Sequence, residues 1–446
     1  MNGNTLTPSA IIDNSPLSML QIRVLLLCFV VVVLDGFDTA AIGYVAPELI
    51  RVWDIDRSAL SPVFAAGLFG MLVGSVAVGP LADRFGRKLA LMASLLLVAL
   101  GTLACCLAQT LEVLTVLRFI TGLGLGGVLP NAITLCSEYS PARRRMLLVT
   151  LSYSGFTLGL ALGGWLAGVL LPLVGWSGLL MLGGFAPLLL LPLLMWLLPE
   201  STCFLASNPK CTAQLKEILS RISGRQDLAG ITFVSDVKPR HHQSPARALF
   251  SEGRTLRTLM LWLTFFCCLF VFYLLTSWLP TILRDSGYSV QETSQIAAMI
   301  PFGGVIGGIV MALVMDRFGA PRVLMLLCLF AALSLGLTGM QLTNGIALLL
   351  MVFAVGFTLT GALNNLSILS ATLYPTYVRA TGVGWALSAG RAGSIIGSML
   401  GGWLFDSAGG LQMFFAWLAV PTLLAALALL VMSKRISNAE PQGEAT

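Results

Sequence analysis

The stretch VLLLCFVVVVLDGFDTAAIGYVAP, Val24 to Pro47, decides how the rest of the chain is read. Eleven apolar residues run unbroken from Val24 to Leu34, and then Asp35 and Asp38 appear inside a segment that stays hydrophobic. Even on a lenient insertion scale, a carboxylate at the centre of a bilayer costs about 2.5–3.5 kcal/mol. Two of them, three residues apart, call for a function that offsets that cost.

The surrounding chain is of the same kind. Of 446 residues, 57% are hydrophobic and only 10% charged, with a mean hydropathy of +0.90. Soluble domains carry about 25% charged residues, so most of this chain is solvated by lipid. The first apolar run continues through a full span instead of stopping at a small-residue cleavage site, unlike a signal peptide. The nine cysteines sit mostly inside apolar runs and read as small hydrophobes. The two histidines, His241 and His242, are adjacent in a polar loop with no third ligand in view, and no metal or other cofactor is expected. No nucleophile–base pair and no G-x-x-x-x-G-K-[ST] loop is present, which argues against an enzyme and a nucleotide-driven pump.

With about 20 apolar residues per crossing as the ruler, twelve spans emerge: 22–50, 58–80, 88–108, 112–137, 145–171, 175–198, 255–283, 291–315, 321–341, 344–373, 379–404 and 410–433. The chain is expected to be an all-α polytopic membrane protein. The polar interval 199–254 separates two six-helix bundles, 22–198 and 255–433, flanked by tails 1–21 and 434–446. If both termini are cytoplasmic, 21 of the 26 basic residues lie at or near the cytoplasmic side, as the positive-inside rule requires. The outer loops then hold only Arg51, Arg57 and Arg284, and Arg118 and Arg391 fall within spans. The net charge of +6 reports topology, not affinity for nucleic acid.

DRFG occurs at Asp83 to Gly86 and again at Asp316 to Gly319, 233 residues apart, each time after an apolar span. EYSPARRR (Glu138 to Arg145) and LYPTYVRA (Leu373 to Ala380) repeat at nearly the same offset, and GGWL recurs at Gly163 and Gly401. Three matches in order argue for two homologous halves, a transporter architecture with the substrate site between them near mid-depth.

GPLADRFGRK (Gly79 to Lys88) can be read simply as a charged turn, yet it resembles the signature loop of the major facilitator superfamily nearly letter for letter. That resemblance implies a conformational latch at Asp83, with Gly79, Arg84, Gly86, Arg87 and Lys88 around it and Asp316 as a weaker echo. RFITGLGLGG (Arg118 to Gly127) resembles the family's fourth-helix motif, and SGFTLGLALGGWLAG (Ser154 to Gly168) its fifth, although Leu160 stands where the family has a proline. The glycines of the latter form a groove another helix can approach. The first-helix pattern LDGFD, with LPNAITLCSEYSPARRR, TSWLPTILRDSG and YPTYVRATGVGWALSAGR, resembles the aromatic acid:H+ symporters within that superfamily. The resemblance implies a monomeric, multi-pass carrier of the cell inner membrane, importing benzoate- or hydroxybenzoate-type anions with protons. Another organic anion, export, or a chemoreceptor role beside transport are the alternatives.

Helix rise puts Asp35 and Asp38 about 20 and 24 Å from the cytoplasmic surface, Arg118 about 21 Å and Arg391 about 18 Å. Four ionisable side chains from three helices share one slab. One reading is an ion pair that merely neutralises a packing site. The other is a central aqueous cavity in which Arg118 and Arg391 bind a carboxylate bidentately while Asp35 and Asp38 carry protons. Asn131, Asn364 and Asn365, amides in need of partners in hydrocarbon, are candidates for lining it, as are Tyr44 and Trp385. Glu138, Arg145 and Arg379 are expected in a gate network at the cytoplasmic helix ends.

Overall fold

In lipid a backbone has no hydrogen-bonding partner but itself, and the apolar runs accordingly close into long helices. The computed structural model of the chain describes residues 5–224, 232–233, 249–250, 254–340, 345–374 and 379–437. The first four membrane helices are Met19–Trp53, Ser61–Phe85, Arg87–Cys105 and Leu111–Tyr139. The fifth and sixth form one continuous stretch, Ala142–Leu197, broken at Gly175, whose φ of 68° is open to glycine but not to most other residues. Thr255–Asp285, Val290–Phe318 and Ala320–Thr338 follow as the seventh to ninth. The tenth is Gly345–Val355, continued through a π-helical turn, Gly356–Thr360, into Gly361–Leu373. Arg379–Ser407 and Leu411–Ser437 complete twelve. Among the described residues, ten helices are long and apolar enough to cross a membrane. The 56-residue stretch counts once among them but holds two crossings, and the eleventh helix is diluted by glycine and serine.

The polar segments fold as well. A short helix, Pro8–Asp13, buries Ile11 and Ile12, and Thr5–Leu6 pairs in parallel with Thr232–Phe233. Within the central loop, Thr212–Ser223 buries one face through Leu215, Ile218, Leu219 and Ile222. Asp13 accepts the Ala142 N–H at 2.6 Å and pairs with Arg145 at 3.5 Å, so the N-terminal segment caps the beginning of the fifth helix. Gln21 donates to the Tyr139 carbonyl at 2.8 Å at the end of the fourth.

Contacts divide the chain into two compact units, residues 1–39, 69–159 and 180–241 in one, and 40–68, 160–179 and 242–446 in the other. The sequence repeat implies a division at the polar interval 199–254, whereas this division follows which helix ends touch. In the first unit the first and fifth helices run nearly in contact: a Cβ at Gly36 would strike the Phe156 carbonyl, and one at Gly159 the Val33 carbonyl. The glycine groove of the fifth helix thus receives the helix that carries the two aspartates. In the second unit, the far ends of the first, second and fifth helices pack on later helices, with Gly43 against the Thr276 carbonyl, Phe64 edge-on to Trp278 at 5.2 Å, and Gly168 against Ser294.

Candidate functional site

The glycines of the fourth helix set the geometry around Asp38. Gly124 and Gly127 face Ser94 and Val98, bringing the third and fourth helices close enough for Thr102 and Arg118 to reach the first. Asp38 is fully buried, and both its oxygens are engaged. Oδ2 lies 3.3 Å from Nη1 of Arg118, and Oδ1 accepts a 2.6 Å hydrogen bond from the Thr102 hydroxyl. Arg118 is itself only 3% exposed; the Cys105 thiol lies beside its guanidinium, and its Nε and Nη2 make no hydrogen bond of good geometry among the described residues. Those two nitrogens carry three N–H groups, the kind of planar donor set that guanidinium–carboxylate pairs use. Asp35 is buried one turn earlier, with its backbone carbonyl accepting from the Thr39 hydroxyl at 2.9 Å.

The remaining sequence candidates separate by role. Asn131 is buried and donates to the Gly127 carbonyl of its own helix at 2.7 Å. Asn364 donates to Gly304 at 3.3 Å, and Asn365 to Gly308 at 3.1 Å and Gly361 at 2.8 Å. These two amides follow the π-helical turn and stitch the tenth helix to the glycine-rich eighth. Tyr44 is buried in the second unit, its hydroxyl against Gly164, beside a small cavity shared with Leu160, Thr276 and Ile300. Trp385 is 48% exposed and stacks on Trp262 at 5.5 Å. Arg391, in the same unit, is half-buried and makes no ion pair among the described residues. The side chains of Asp316 and Arg379, and all of His241 and His242, lie outside the described residues. Among the described residues no group of His, Cys, Asp or Glu could hold a metal ion.

At the helix ends near the N-terminus, the signature loop forms a charge network. Arg87 pairs with Asp83 at 3.3 Å and with Glu138 at 3.1 Å. Asp83 is 72% exposed and Glu138 only 9%, so the buried half of the network is Arg87–Glu138. Glu138 also accepts from the Ser201 hydroxyl at 2.5 Å, and Arg145 donates to the Ser140 carbonyl. Arg84 lies over the Phe85 ring, and Gly79 is exposed within the second helix, about two turns before its end. Glu200 is seated at the beginning of the third helix, accepting the backbone N–H groups of Lys88 at 2.9 Å and Ser201 at 2.8 Å. Lys88 in turn donates through Nζ to the Met195 carbonyl at 2.7 Å.

Gly86 is indispensable to that seat. Its φ of 102° and ψ of 148° fall in a region essentially confined to glycine, and a Cβ there would collide with the Glu200 carboxylate. Gly86→Ala is expected to destabilise the purified protein by about 1–3 kcal/mol, read as a fall in its thermal midpoint. Glu200→Gln, which keeps an acceptor oxygen, should cost less.

Two members of these clusters escape sequence reasoning. Threonine in a membrane helix ordinarily bonds back to its own helix, as Thr115 and Thr121 do, so nothing in the string singles out Thr102. Glu200 stands in PES, legible as a helix stop but not as the acceptor at another helix's beginning.

A profile of the Major Facilitator Superfamily matches residues 28–367 and again 261–445. The gallate transporter of Pseudomonas putida is 41% identical over 436 residues, 96% of each chain. The 4-hydroxybenzoate transporter PcaK of Acinetobacter baylyi is 40% identical over 434 residues, 96% of this chain and 95% of that one. Among solved structures, the xylose transporter XylE from E. coli superposes with a TM-score of 0.71 at 17% identity, over 96% of this chain and 100% of that one.

Proposed function

The chain belongs to the Major Facilitator Superfamily, and from that premise we propose that it is a proton-coupled carrier importing aromatic carboxylates of the gallate, hydroxybenzoate or benzoate type. The observation that carries this reading is a buried guanidinium, Arg118, paired to Asp38 through one nitrogen, with the Cys105 thiol beside it and donors on the other two nitrogens that make no hydrogen bond of good geometry among the described residues. A planar carboxylate anion satisfies those donors. Protonation of Asp38 removes the counter-ion of Arg118, so that anion and proton load together and the charge in the dry site stays balanced. Asp35, one turn away and equally dry, is the second proton candidate, and Arg391 the second cationic anchor.

The reading extends to orientation. Arg84, Arg87, Lys88 and Arg143 to Arg145 cluster at one set of helix ends, and the positive-inside rule assigns those ends, with both termini, to the cytoplasm. The Arg87–Glu138–Ser201 network then acts as a gate on the cytoplasmic side. Names of relatives guide the choice of substrates: several carry gallate, 4-hydroxybenzoate or benzoate in theirs.

Uptake of radiolabelled gallate, 4-hydroxybenzoate and benzoate by expressing cells, with and without an uncoupler, tests class and coupling together. At least one compound is expected to accumulate, and the uncoupler to collapse the accumulation. Accumulation that resists the uncoupler removes the proton, and failure to take up any of the three removes the substrate class.

A further inference from the structure

At the helix ends opposite the termini, one arginine draws three elements of the second unit together. Arg57 opens the 3-10 turn Arg57–Leu60 between the first and second helices. Its Nε lies 2.9 Å from Asp285, the last residue of the seventh helix, and its Nη1 lies 3.8 Å from Asp406, near the end of the eleventh. The guanidinium carbon sits 5.0 Å from the centre of the Phe405 ring. Directly below, Leu60, Val63 and Phe64 are buried, and Phe64 meets Trp278, whose indole N–H donates to the Ser398 carbonyl at 2.7 Å. A charged clasp therefore lies over an apolar plug.

The clasp joins the two sequence halves. Arg57 belongs to the first six spans, and Asp285, Asp406 and Phe405 to the last six. Any motion that parts the halves at this face must break all three contacts and withdraw Phe64 from Trp278. We infer that Arg57, held by Asp285, Asp406 and Phe405, is the latch that keeps the outer gate shut. Calling that gate outer rests on the carrier reading and the orientation proposed above. The side chains of Arg57, Asp285 and Asp406 are 35%, 32% and 52% exposed, and partly solvated pairs of this kind each bias an equilibrium by a small factor. The cation–π contact adds another. Together they make a latch that shifts the closed-to-open ratio roughly threefold to tenfold, not a lock.

Thr276, on the seventh helix where Gly43 packs, reports on the gate. A Thr276→Cys chain is labelled with a membrane-impermeant maleimide in intact cells and in inverted vesicles, against the parent with native cysteines only. Adding Arg57→Ala is expected to raise the labelling rate in intact cells about threefold to tenfold; Asp285→Asn with Asp406→Asn should do the same. The charge swap Arg57→Asp with Asp285→Arg should bring the rate back toward that of the parent. An Arg57→Ala rate within twofold of the parent from both sides, in protein recovered at normal yield, overturns the latch. An increase confined to inverted vesicles keeps the latch and overturns the orientation instead.

Discussion

Asp38→Asn is expected to abolish uncoupler-sensitive accumulation and to yield a chain that folds poorly. The second effect follows from burial. Asp38 and Arg118 are 0% and 3% exposed, and stripping one partner from such a pair leaves the other charge without compensation, at about 3–5 kcal/mol. Replacing both charges with neutral polar groups is far less damaging. The double variant Asp38→Asn with Arg118→Gln should recover most of the thermal midpoint and expression lost by the single one, while transport stays absent. That combination separates the two jobs of the pair, because a purely structural ion pair would give back transport along with stability. Wild-type, uncoupler-sensitive accumulation by Asp38→Asn would remove the acid from the coupling mechanism.

What the string makes legible here is what lipid dictates. Twelve spans follow from the rule that a backbone crossing hydrocarbon satisfies itself, and even the break at Gly175 falls where one predicted span yields to the next. The glycines of the fourth and fifth helices announce close approach, and the approach is to the third and first helices. Depth arithmetic brings Asp38 and Arg118 to one level, where they pair. The partner of Asp38 on the third helix is another matter. Thr102 offers one hydroxyl in a run of apolar residues, and only the rotation of its helix, set by Gly124 and Gly127 against Ser94 and Val98, turns it toward the carboxylate. The N-terminal segment is likewise opaque, since Ile11 and Ile12 form too short an apolar run to announce a buried helix. The Arg57 clasp is hardest of all. Its members lie at three loop margins far apart in sequence, in charged turns that look alike, and their meeting is a product of tertiary packing alone.

Arg118→Lys is expected to weaken substrate affinity while leaving the fold largely intact. The ammonium still balances the Asp38 charge, but it is a single flexible point where the guanidinium offers two fixed, parallel N–H groups. A hydrogen bond to a charged group contributes about 1.5–3 kcal/mol, so losing one should raise the apparent KM about 10- to 100-fold. Competition by the neutral amide of the preferred acid sharpens the result. The wild-type protein should prefer carboxylate over amide strongly, and the lysine variant should narrow that preference, since the discarded bond is the one the amide never makes well. Arg391→Lys serves as the comparison, because that half-buried side chain makes no ion pair among the described residues. If Arg391→Lys takes the affinity loss and Arg118→Lys does not, the anchor moves to the eleventh helix, and Arg118 is left with Asp38 as its sole charge. If neither changes KM, a carboxylate is not what the buried guanidinium binds.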